Sequence, residues 1–386
     1  MAGIVRDGAL AWWGSAGRGG VGHGEPQQPT DDTQYRIGSI SKTHTAVAVM
    51  RLRDEGALEL TDRIGDHLSE LAHLPVTIAQ LLSHTSGLRA EYAGDWWETT
   101  EGLAFDQLVA TSLRSEDLLT RPGRRFHYSN VGFAVLGELV SRRRKLPLWS
   151  ILGEELWTPL GMDRTTPRPV PPAAEGLAVH PHTASVLSEP EHDAVSMAPA
   201  GQLWSTIGDL AKWSRLRSGL HPELLGSESL AEMREPVGVS DLPDQPWVTD
   251  YGLGLQLWNR AGKRRHGHIG GMPGFWAMIY LDPETGYGVL ALANSTYAGM
   301  RPAFFEELLT ITEASESRAP VAFGPSAESC DPALLELAGT WYWGPLGIPL
   351  QRLAEEQARG DARSRGLRVR AERRRNLYGP VRLLRR

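Results

Sequence analysis

The segment Arg36-Ile37-Gly38-Ser39-Ile40-Ser41-Lys42 places a serine three residues before a lysine. Lysine is rare in this chain, since only four of its 40 basic side chains are lysines and the others are arginines. A guanidinium stays protonated at any working pH, whereas a desolvated amine can lose its proton and then accept one from a hydroxyl. The segment therefore predicts that Ser39 is a nucleophile and that Lys42 is its base.

The residues after this segment predict a mostly buried helix that begins near Ser39, because apolar side chains recur at helical spacing from Thr43 to Leu52. Residues i and i+3 of a helix share one face, so Ser39 and Lys42 would lie side by side. The free N–H groups and the dipole at a helix N-terminus favour developing negative charge. An N-cap serine beside a surface lysine would give the same local pattern, and this segment alone leaves that alternative open.

Composition sets limits on the class of protein. At 386 residues with 41% hydrophobic content, the chain can bury a large core in one elaborate domain or two. A formal net charge of −6 gives no electrostatic argument for a nucleic-acid partner, and the single cysteine, Cys330, excludes an internal disulfide framework. The N-terminus lacks a cationic segment followed by a long apolar stretch, and no window has the length of a membrane span, so we expect a cytoplasmic protein without a membrane partner.

The distribution of helical and strand patterns predicts the fold class. A strand-turn-strand pattern with its turn at Asp7-Gly8 opens the chain. Helical patterns dominate residues 57–215, one of them over residues 106–119. Residues 251–294 contain four successive strand patterns joined by short turns, the last of which is a hairpin turn at residues 282–286. Adjacent strands with short connections form antiparallel sheets. We therefore predict an α/β (α+β) fold in which a mainly antiparallel sheet from residues 1–35 and 250–315 is flanked by helices, with a helical region inserted at about 57–215. The proline-rich stretch 167–190 reads as a long surface loop.

Three motifs in chain order then suggest a family. Ser39-Ile40-Ser41-Lys42, Tyr128-Ser129-Asn130 and His268-Ile269-Gly270-Gly271 resemble the three active-site motifs of the serine β-lactamase and penicillin-binding-protein superfamily. The tyrosine of the second motif is similar to that of the class C branch, which also includes D-alanyl-D-alanine carboxypeptidases, D-stereospecific aminopeptidases and esterases. The resemblance extends over roughly residues 3–312 and implies the β-lactamase/transpeptidase-like fold.

The resemblance also implies catalytic roles for three residues. Ser39 would attack an acyl carbon and form an acyl-enzyme that water later hydrolyses. Lys42 would accept the serine proton, which requires that its pKa lie far below the usual value of about 10.4. Tyr128 would share that proton or deliver it to the leaving group.

Four further residues are implied as contacts to the substrate or the oxyanion. Asn130 would hydrogen-bond the substrate amide or hold Lys42 in place, and His268 opens the third motif. Gly270 would let the strand approach the substrate closely. The backbone N–H groups of Ser39 and Gly271 would form the oxyanion hole.

Other chemistries compete with this interpretation. His266 and His268 share one face of a predicted strand, but no third ligand of suitable spacing accompanies them, so we predict neither a metal nor a cofactor. A histidine-dependent triad through Ser86 or Ser129 is the mechanistic alternative, although neither serine lies in a Gly-x-Ser-x-Gly elbow. We expect His84 to be structural.

The third motif limits the substrate class. Ile269 occupies the position where relatives that bind a substrate carboxylate usually carry a hydroxyl, and an isoleucine cannot donate a hydrogen bond. We therefore expect a small ester or amide substrate without that carboxylate. A D-amino-acid amidase, a D-alanyl carboxypeptidase or a β-lactamase remain alternatives, as does a catalytically silent binding or scaffolding member of the fold. The oligomeric state stays open.

The C-terminal part has a different composition. We predict a hydrolase domain over residues 1–315, a linker at 316–335 and a separate segment at 336–386. Residues 337–344 resemble the opening strand of the small β-barrel found in some relatives, whereas residues 351–386 hold twelve arginines against four acidic side chains. This end is predicted to be either a disordered basic tail or a truncated or frame-shifted barrel.

Overall fold

The computed structural model describes residues 1–20, 28–180, 182–183, 185–241, 248–260, 262–296 and 302–315, together with the backbone of three short strands beyond residue 338. The chain divides into two compact units, Met1–Glu316 and Ser317–Arg386. The first unit contains all three sequence motifs. In the second unit, β-strands at Gly339–Trp343, Leu346–Leu350 and Leu384–Arg385 form one sheet with the first of them in the middle.

The first unit is built around an eight-stranded antiparallel sheet. Its strand order is β2-β1-β12-β11-β10-β9-β8-β7, so the N-terminal hairpin pairs with the last strand of the unit. The strands of this unit are β1 (Ala2–Arg6), β2 (Ala9–Gly14), β3 (Tyr35–Arg36), β4 (Leu177–Val179), β5 (Val186–Ser188), β6 (Trp204–Ser205), β7 (Gly238–Val239), β8 (Thr249–Tyr251), β9 (Gln256–Arg260), β10 (Lys263–Met272), β11 (Phe275–Leu281) and β12 (Tyr287–Ala293). The predicted α/β (α+β) class with a mainly antiparallel sheet is confirmed.

Helices cover the sheet and fill the inserted region between its two halves. They are α1 (Ser41–Asp54), α2 (Ile78–Leu82), α3 (Phe105–Ser112), α4 (Asn130–Arg144), α5 (Leu148–Leu152), α6 (Thr158–Leu160), α7 (Ala198–Gly201), α8 (Ile207–Arg217), α9 (Ser227–Met233) and α10 (Pro302–Ser315). Within the described residues, no helix has the length and apolar character needed to cross a bilayer.

Turn chemistry sets the register of the sheet at two hairpins. Asp7 and Gly8 both have positive φ angles, 47° and 72°, as the tight turn between β1 and β2 requires. The turn between β11 and β12 ends at Gly286, whose φ is 75°, and the Asp282 side chain accepts the Glu284 N–H at 2.7 Å. Both turns match the sequence prediction.

The alternation of side chains along β11 separates two cores. Ala277 and Ile279 face the large core beneath the helical region. Met278 and Tyr280 face the opposite side, where they pack in a smaller cluster with Phe305 of α10. Because successive strand residues point to opposite faces, one strand supplies both cores.

Helix α1 runs through the middle of the large core. Most of its side chains are buried, including the polar Ser41, Lys42 and Thr43. It packs against α4, α5 and α7, and a 3-10 turn at Gly38–Ile40 leads into it. The predicted helix start near Ser39 is therefore two residues early, because Ser39 belongs to the turn.

Two local predictions differ from the structure. The stretch 167–190, predicted as a loop, contains the hairpin β4–β5, in which Ala178 pairs with Leu187. Each strand has only three residues, so the surrounding prolines dominate the composition of this stretch and favoured the prediction of a loop. The helix predicted over residues 106–119 ends at Ser112, and a 3-10 turn follows at Ser115–Asp117.

In the second unit, Leu346–Leu350 pairs with Gly339–Trp343, so a second strand follows the predicted opening strand, which the sequence did not indicate. Residues 351–383 lie outside the described part of the chain.

Candidate active site

Ser39 and Lys42 are in direct contact at the start of α1. Lys42 Nζ donates a hydrogen bond to Ser39 Oγ at 3.0 Å and another to the backbone carbonyl of Ala200 in α7 at 2.6 Å. Lys42 is 0% exposed, whereas Ser39 is half-buried and accessible from one side. The 3-10 turn therefore presents the hydroxyl outward while the helix keeps the amine inside.

The environment of Lys42 favours its uncharged form. Burial lowers the pKa of the Lys42 amine to about 7, and the negative charges of Glu91 and Glu98 oppose part of that shift. An amine with a pKa near neutrality is unprotonated in a large fraction of molecules at pH 7. Such an amine can accept a proton from a neighbouring hydroxyl.

Tyr128 completes a three-residue group with Ser39 and Lys42. The Tyr128 ring centre lies 4.9 Å from Lys42 Nζ. Burial raises the pKa of the Tyr128 phenol well above its usual value, although the Ser39 side chain lowers it in part, so the phenol keeps its proton and acts as a donor. The ring of His84 packs against the Tyr128 ring with 4.2 Å between centroids.

His84 packs beside this group and is hydrogen-bonded to the second motif, as expected of a positioning residue. Its Nδ1 accepts the backbone N–H of Ser129 at 3.0 Å, so the imidazole fixes the residue that follows Tyr128. Burial lowers the pKa of His84 well below its usual value, and the positive charge of Lys42 lowers it further. His84 is therefore an uncharged ring that positions the second motif.

Asn130 is held by a residue that the sequence analysis did not single out. Ser129 caps α4 by accepting the Gly132 N–H at 3.0 Å, which places Asn130 in the first turn of the helix. Asn130 Nδ2 donates to Glu91 Oε1 at 2.6 Å. The other oxygen of Glu91 accepts Trp97 Nε1 at 2.6 Å, so this carboxylate links the second motif to the loop after residue 88.

His268 is fully buried beside the group. It is 0% exposed, its Nδ1 lies 2.6 Å from the Ile269 carbonyl, and its Nε2 lies 2.9 Å from the Tyr251 hydroxyl. The carbonyl requires a donor, so Nδ1 carries the hydrogen and Nε2 accepts from Tyr251. The substrate contact predicted for His268 stays a prediction: both ring nitrogens have partners within the protein, and a substrate would have to replace one of them.

The glycines of the third motif allow β10 to touch the turn that carries Ser39. A Cβ atom on Gly270 would lie 1.9 Å from the Ile37 carbonyl oxygen. One on Gly38, whose φ is +53°, would lie 2.6 Å from the Gly271 nitrogen. Only residues without a side chain permit this contact, which brings the backbone of Gly271 next to the turn that contains Ser39.

A second carboxylate, Glu98, lies near the same group. Burial raises the pKa of Glu98 to about 7, and the neighbouring charge of Glu91 raises it further. Lys42 and the buried Arg36 lower it in part. Glu91 and Glu98 lie on either side of Trp96 and Trp97 in the sequence. Their position near this aromatic pair was the local sequence feature that could have marked them as residues of the site.

The geometry thus joins a hydroxyl, an amine that can lose its proton, and a protonated phenol in one contact group. Within the described ranges, no three His, Cys, Asp or Glu side chains come together as metal ligands. The chemistry that this group can support is nucleophilic attack by Ser39 with proton transfer through Lys42 and Tyr128.

Comparison with known proteins gives a consistent family assignment. A sequence model of the Beta-lactamase family matches residues 1–309. Penicillin-binding protein 4 of Amycolatopsis lactamdurans is 30% identical over 336 residues, which cover 81% of this chain and 85% of that protein.

Solved structures share the fold. The octameric penicillin-binding protein homologue from Pyrococcus abyssi superposes with a TM-score of 0.70 at 24% identity, covering 81% of this chain and 73% of that one. The D-amino acid amidase from Ochrobactrum anthropi gives a TM-score of 0.67 at 23% identity, with 81% and 93% coverage. The fold is that of β-lactamases and transpeptidases, and the chain belongs to the Beta-lactamase family.

Proposed function

We propose that the chain is a serine hydrolase that cleaves an ester or amide through an acyl-enzyme on Ser39. One observation carries this proposal: the contact between Ser39 Oγ and the buried amine of Lys42, whose pKa lies near 7. A surface lysine beside an N-cap serine would retain its proton at neutral pH and could not act as a base. Burial of Lys42 therefore argues against that alternative.

In the acylation step, Ser39 Oγ bonds to the acyl carbon while its proton passes to Lys42 Nζ. The bond between the acyl carbon and the leaving oxygen or nitrogen then breaks, and the leaving group takes a proton from Tyr128, which is replenished from Lys42. Because the phenol stays protonated, Tyr128 serves as a relay and not as the primary base. The N–H groups of Ser39 and Gly271 would stabilise the negative oxygen of the intermediate.

Deacylation restores the starting state. Water adds to the acyl carbon, its proton passes to the Lys42–Tyr128 pair, and the Ser39 oxygen leaves with a proton from the same pair. Asn130 Nδ2 is held by Glu91, and Asn130 Oδ1 has no hydrogen-bond partner in the structure. No external cofactor is needed to balance these steps.

The charges around the group favour neutral or cationic substrates. Glu91 and Glu98 both act on the pKa of Lys42, which places two acidic side chains within electrostatic range of the reacting atoms; Glu98, with a pKa of about 7, is ionised in part at neutral pH. Ile269 offers no hydroxyl at the third motif, and His268 is enclosed. A substrate carboxylate would therefore meet like charge without a compensating donor from these residues.

These carboxylates also support a second candidate function, a D-amino-acid amidase. The ammonium group of an amino-acid amide would be attracted to Glu91 and Glu98, whereas a simple ester would not use them. The fold shared with a D-amino acid amidase is consistent with this candidate. Turnover of D-alanyl and D-phenylalanyl amides against short-chain nitrophenyl esters separates the two.

Labelling with a fluorophosphonate, read by intact mass, tests the proposal. The wild-type protein should gain one adduct, Ser39→Ala should gain none, and Ser141→Ala, which changes a serine in the last turns of α4, should label like wild type. Circular dichroism checks that each variant is folded. Full labelling of Ser39→Ala contradicts the proposed nucleophile. Absence of both labelling and turnover in folded wild-type protein would instead favour a silent binding member of the fold.

A further inference from the structure

Arg217, the last residue of α8, is a buried cation whose polar atoms are unsatisfied. The residue is 1% exposed, and Nε, Nη1 and Nη2 all lack a hydrogen-bond partner in the structure. Burial lowers the pKa of Arg217 to about 9, and the nearby charge of Arg234 lowers it further. A group with this pKa is still charged at neutral pH. A buried guanidinium without acceptors destabilises a protein by several kcal/mol.

The closest charged neighbour of Arg217 has the same sign. Arg234, which follows α9, donates from Nη2 to the Arg217 carbonyl, and the same atom lies 3.4 Å from His266 Nε2. Arg234 Nε is also buried without a partner. The surroundings of Arg217 thus contain four unsatisfied guanidinium nitrogens from two side chains.

No negative side chain compensates these two arginines among the residues that the structure describes. Besides Arg234, the groups whose electrostatic interactions involve Arg217 are uncharged rings: His44, Tyr251, His266 and His268. Burial lowers the pKa of each of these histidines and raises that of Tyr251, so none of them carries a charge at neutral pH. The cluster therefore has a net charge of about +2.

The dipole of α8 gives only part of the missing compensation. A cation at a helix C-terminus is stabilised by the partial negative charge there. The carbonyls of that end are nevertheless engaged: Ser218 donates to Ser214 and Arg215, and Gly219 donates to Leu216. The helix end supplies a favourable field for Arg217 but no hydrogen-bond acceptor.

We propose that Arg217 and Arg234 bind a small inorganic anion, chloride in solution, between the end of α8, the residue after α9 and strand β10. A monatomic anion accepts several N–H bonds from any direction, which suits donors on two side chains. Sulfate or phosphate would lose much more hydration on entering a buried site. Arg234 is half-buried, so part of this side chain is in contact with solvent. This site is separate from Ser39, and the inference does not rest on the proposed hydrolase activity.

Thermal unfolding in sodium gluconate, with chloride replacing gluconate at constant ionic strength, tests the site. Once chloride exceeds its dissociation constant, the wild-type midpoint should rise by about 3 °C per tenfold increase. Arg264→Met, a change at an exposed arginine of β10, should show the same rise, and Arg217→Met should show none. Equal wild-type midpoints in both salts, or a normal chloride response of Arg217→Met, would overturn the proposal.

A second measurement needs no variant and covers the case in which Arg217→Met does not fold. Crystals of the wild-type protein soaked in bromide should give an anomalous peak within hydrogen-bond distance of the Arg217 guanidinium. Bromide peaks confined to surface positions would overturn the assignment.

In gluconate, Arg217→Met should also unfold at a higher temperature than wild type, because the uncompensated charge is gone.

Discussion

Lys42 Nζ lies 3.0 Å from Ser39 Oγ and 2.6 Å from the carbonyl oxygen of Ala200. The second partner is a backbone carbonyl and not a carboxylate. An ion pair would have kept the amine protonated, whereas a carbonyl accepts a hydrogen bond from either protonation state. The contact with Ala200 thus fixes the amine in space while burial controls its charge.

The first prediction concerns the pH dependence of turnover. Because the pKa of Lys42 is lowered to about 7, the amine is protonated below that pH and cannot accept the Ser39 proton. We expect kcat/KM to fall about tenfold per pH unit below neutrality and to level off above it. Rates measured from about pH 5 to pH 9 with a nitrophenyl ester check this. A limb centred near the ordinary carboxylate pKa would contradict the role of Lys42.

The matched variant is Lys42→Arg. A guanidinium stays protonated throughout this pH range, so acylation should slow by about 10²–10⁴-fold at all pH values. The adduct mass after a long fluorophosphonate incubation separates slow acylation from loss of the nucleophile. Wild-type rates in Lys42→Arg would exclude Lys42 as the base.

A second prediction concerns Glu98. Because the pKa of Glu98 is itself about 7, this side chain is ionised only in part near neutral pH, and the charge that it carries raises the pKa of Lys42. Glu98→Gln should therefore lower the pKa of Lys42 and move the acidic limb of kcat/KM toward lower pH by no more than roughly half a unit. Glu101→Gln, a change at an exposed glutamate three residues later, should leave the limb in place. If the acidic limb of Glu98→Gln moved to higher pH instead, the substitution would act through the burial of Lys42 and not through the loss of a negative charge.

The sequence indicated the parts of the site that depend on local geometry. Ser39 and Lys42 are three residues apart on one turn, so helical periodicity alone brings them together. Gly270 was also expected to allow a close approach of its strand, as the resemblance of the third motif implied. The class of the fold followed from the same periodicities.

Contacts between distant segments were not predictable in this way. Glu91 holds Asn130 across 39 residues, Lys42 contacts Ala200 across 158, and the Tyr251 hydroxyl is hydrogen-bonded to Nε2 of His268. Neither the carboxylate nor the tyrosine has a sequence pattern that marks it. Only the packing of the loop after residue 88 and of strand β8 brings them to the site.

A third prediction tests the contact between β10 and the turn of Ser39. In Gly270→Ala the new Cβ would overlap the Ile37 carbonyl at 1.9 Å, so the strand or the turn must move. We expect the free energy of unfolding to fall by about 3 kcal/mol or more, with loss of turnover in the fraction that folds. Urea denaturation measures the first effect and ester turnover the second.

Gly208→Ala is the matched control for that change. Gly208 lies in the first turn of α8, and the nearest atom to a Cβ there is Thr206 Oγ1 at 3.8 Å, an ordinary contact. Alanine should leave stability unchanged or raise it by up to about 1 kcal/mol. Equal stability of the two variants would show that β10 can move away from Ile37 at little cost.

The last prediction concerns the ion pairs that attach α10 to the sheet. Arg265 on β10 is 1% exposed in its side chain and binds both Asp282, which is 3% exposed, and Glu306 of α10 at 3.1 Å. Arg265→Met would leave the Asp282 carboxylate buried without its cation. We expect a loss of about 3–5 kcal/mol in the free energy of unfolding, measured by urea denaturation. The loss is large because removing one partner of a buried ion pair leaves the other charge buried without compensation.

An exposed arginine provides the comparison for Arg265. Arg142 pairs with Glu70 and Glu138 on the surface, with 46% of its side chain exposed, so Arg142→Met should cost less than about 1 kcal/mol. Adding Glu306→Gln to Arg265→Met should cost less than the sum of the two single changes, since both remove the same contact. Additive effects would mean that Glu306 stabilises α10 through Tyr280, whose hydroxyl donates to it at 2.7 Å, and not through Arg265.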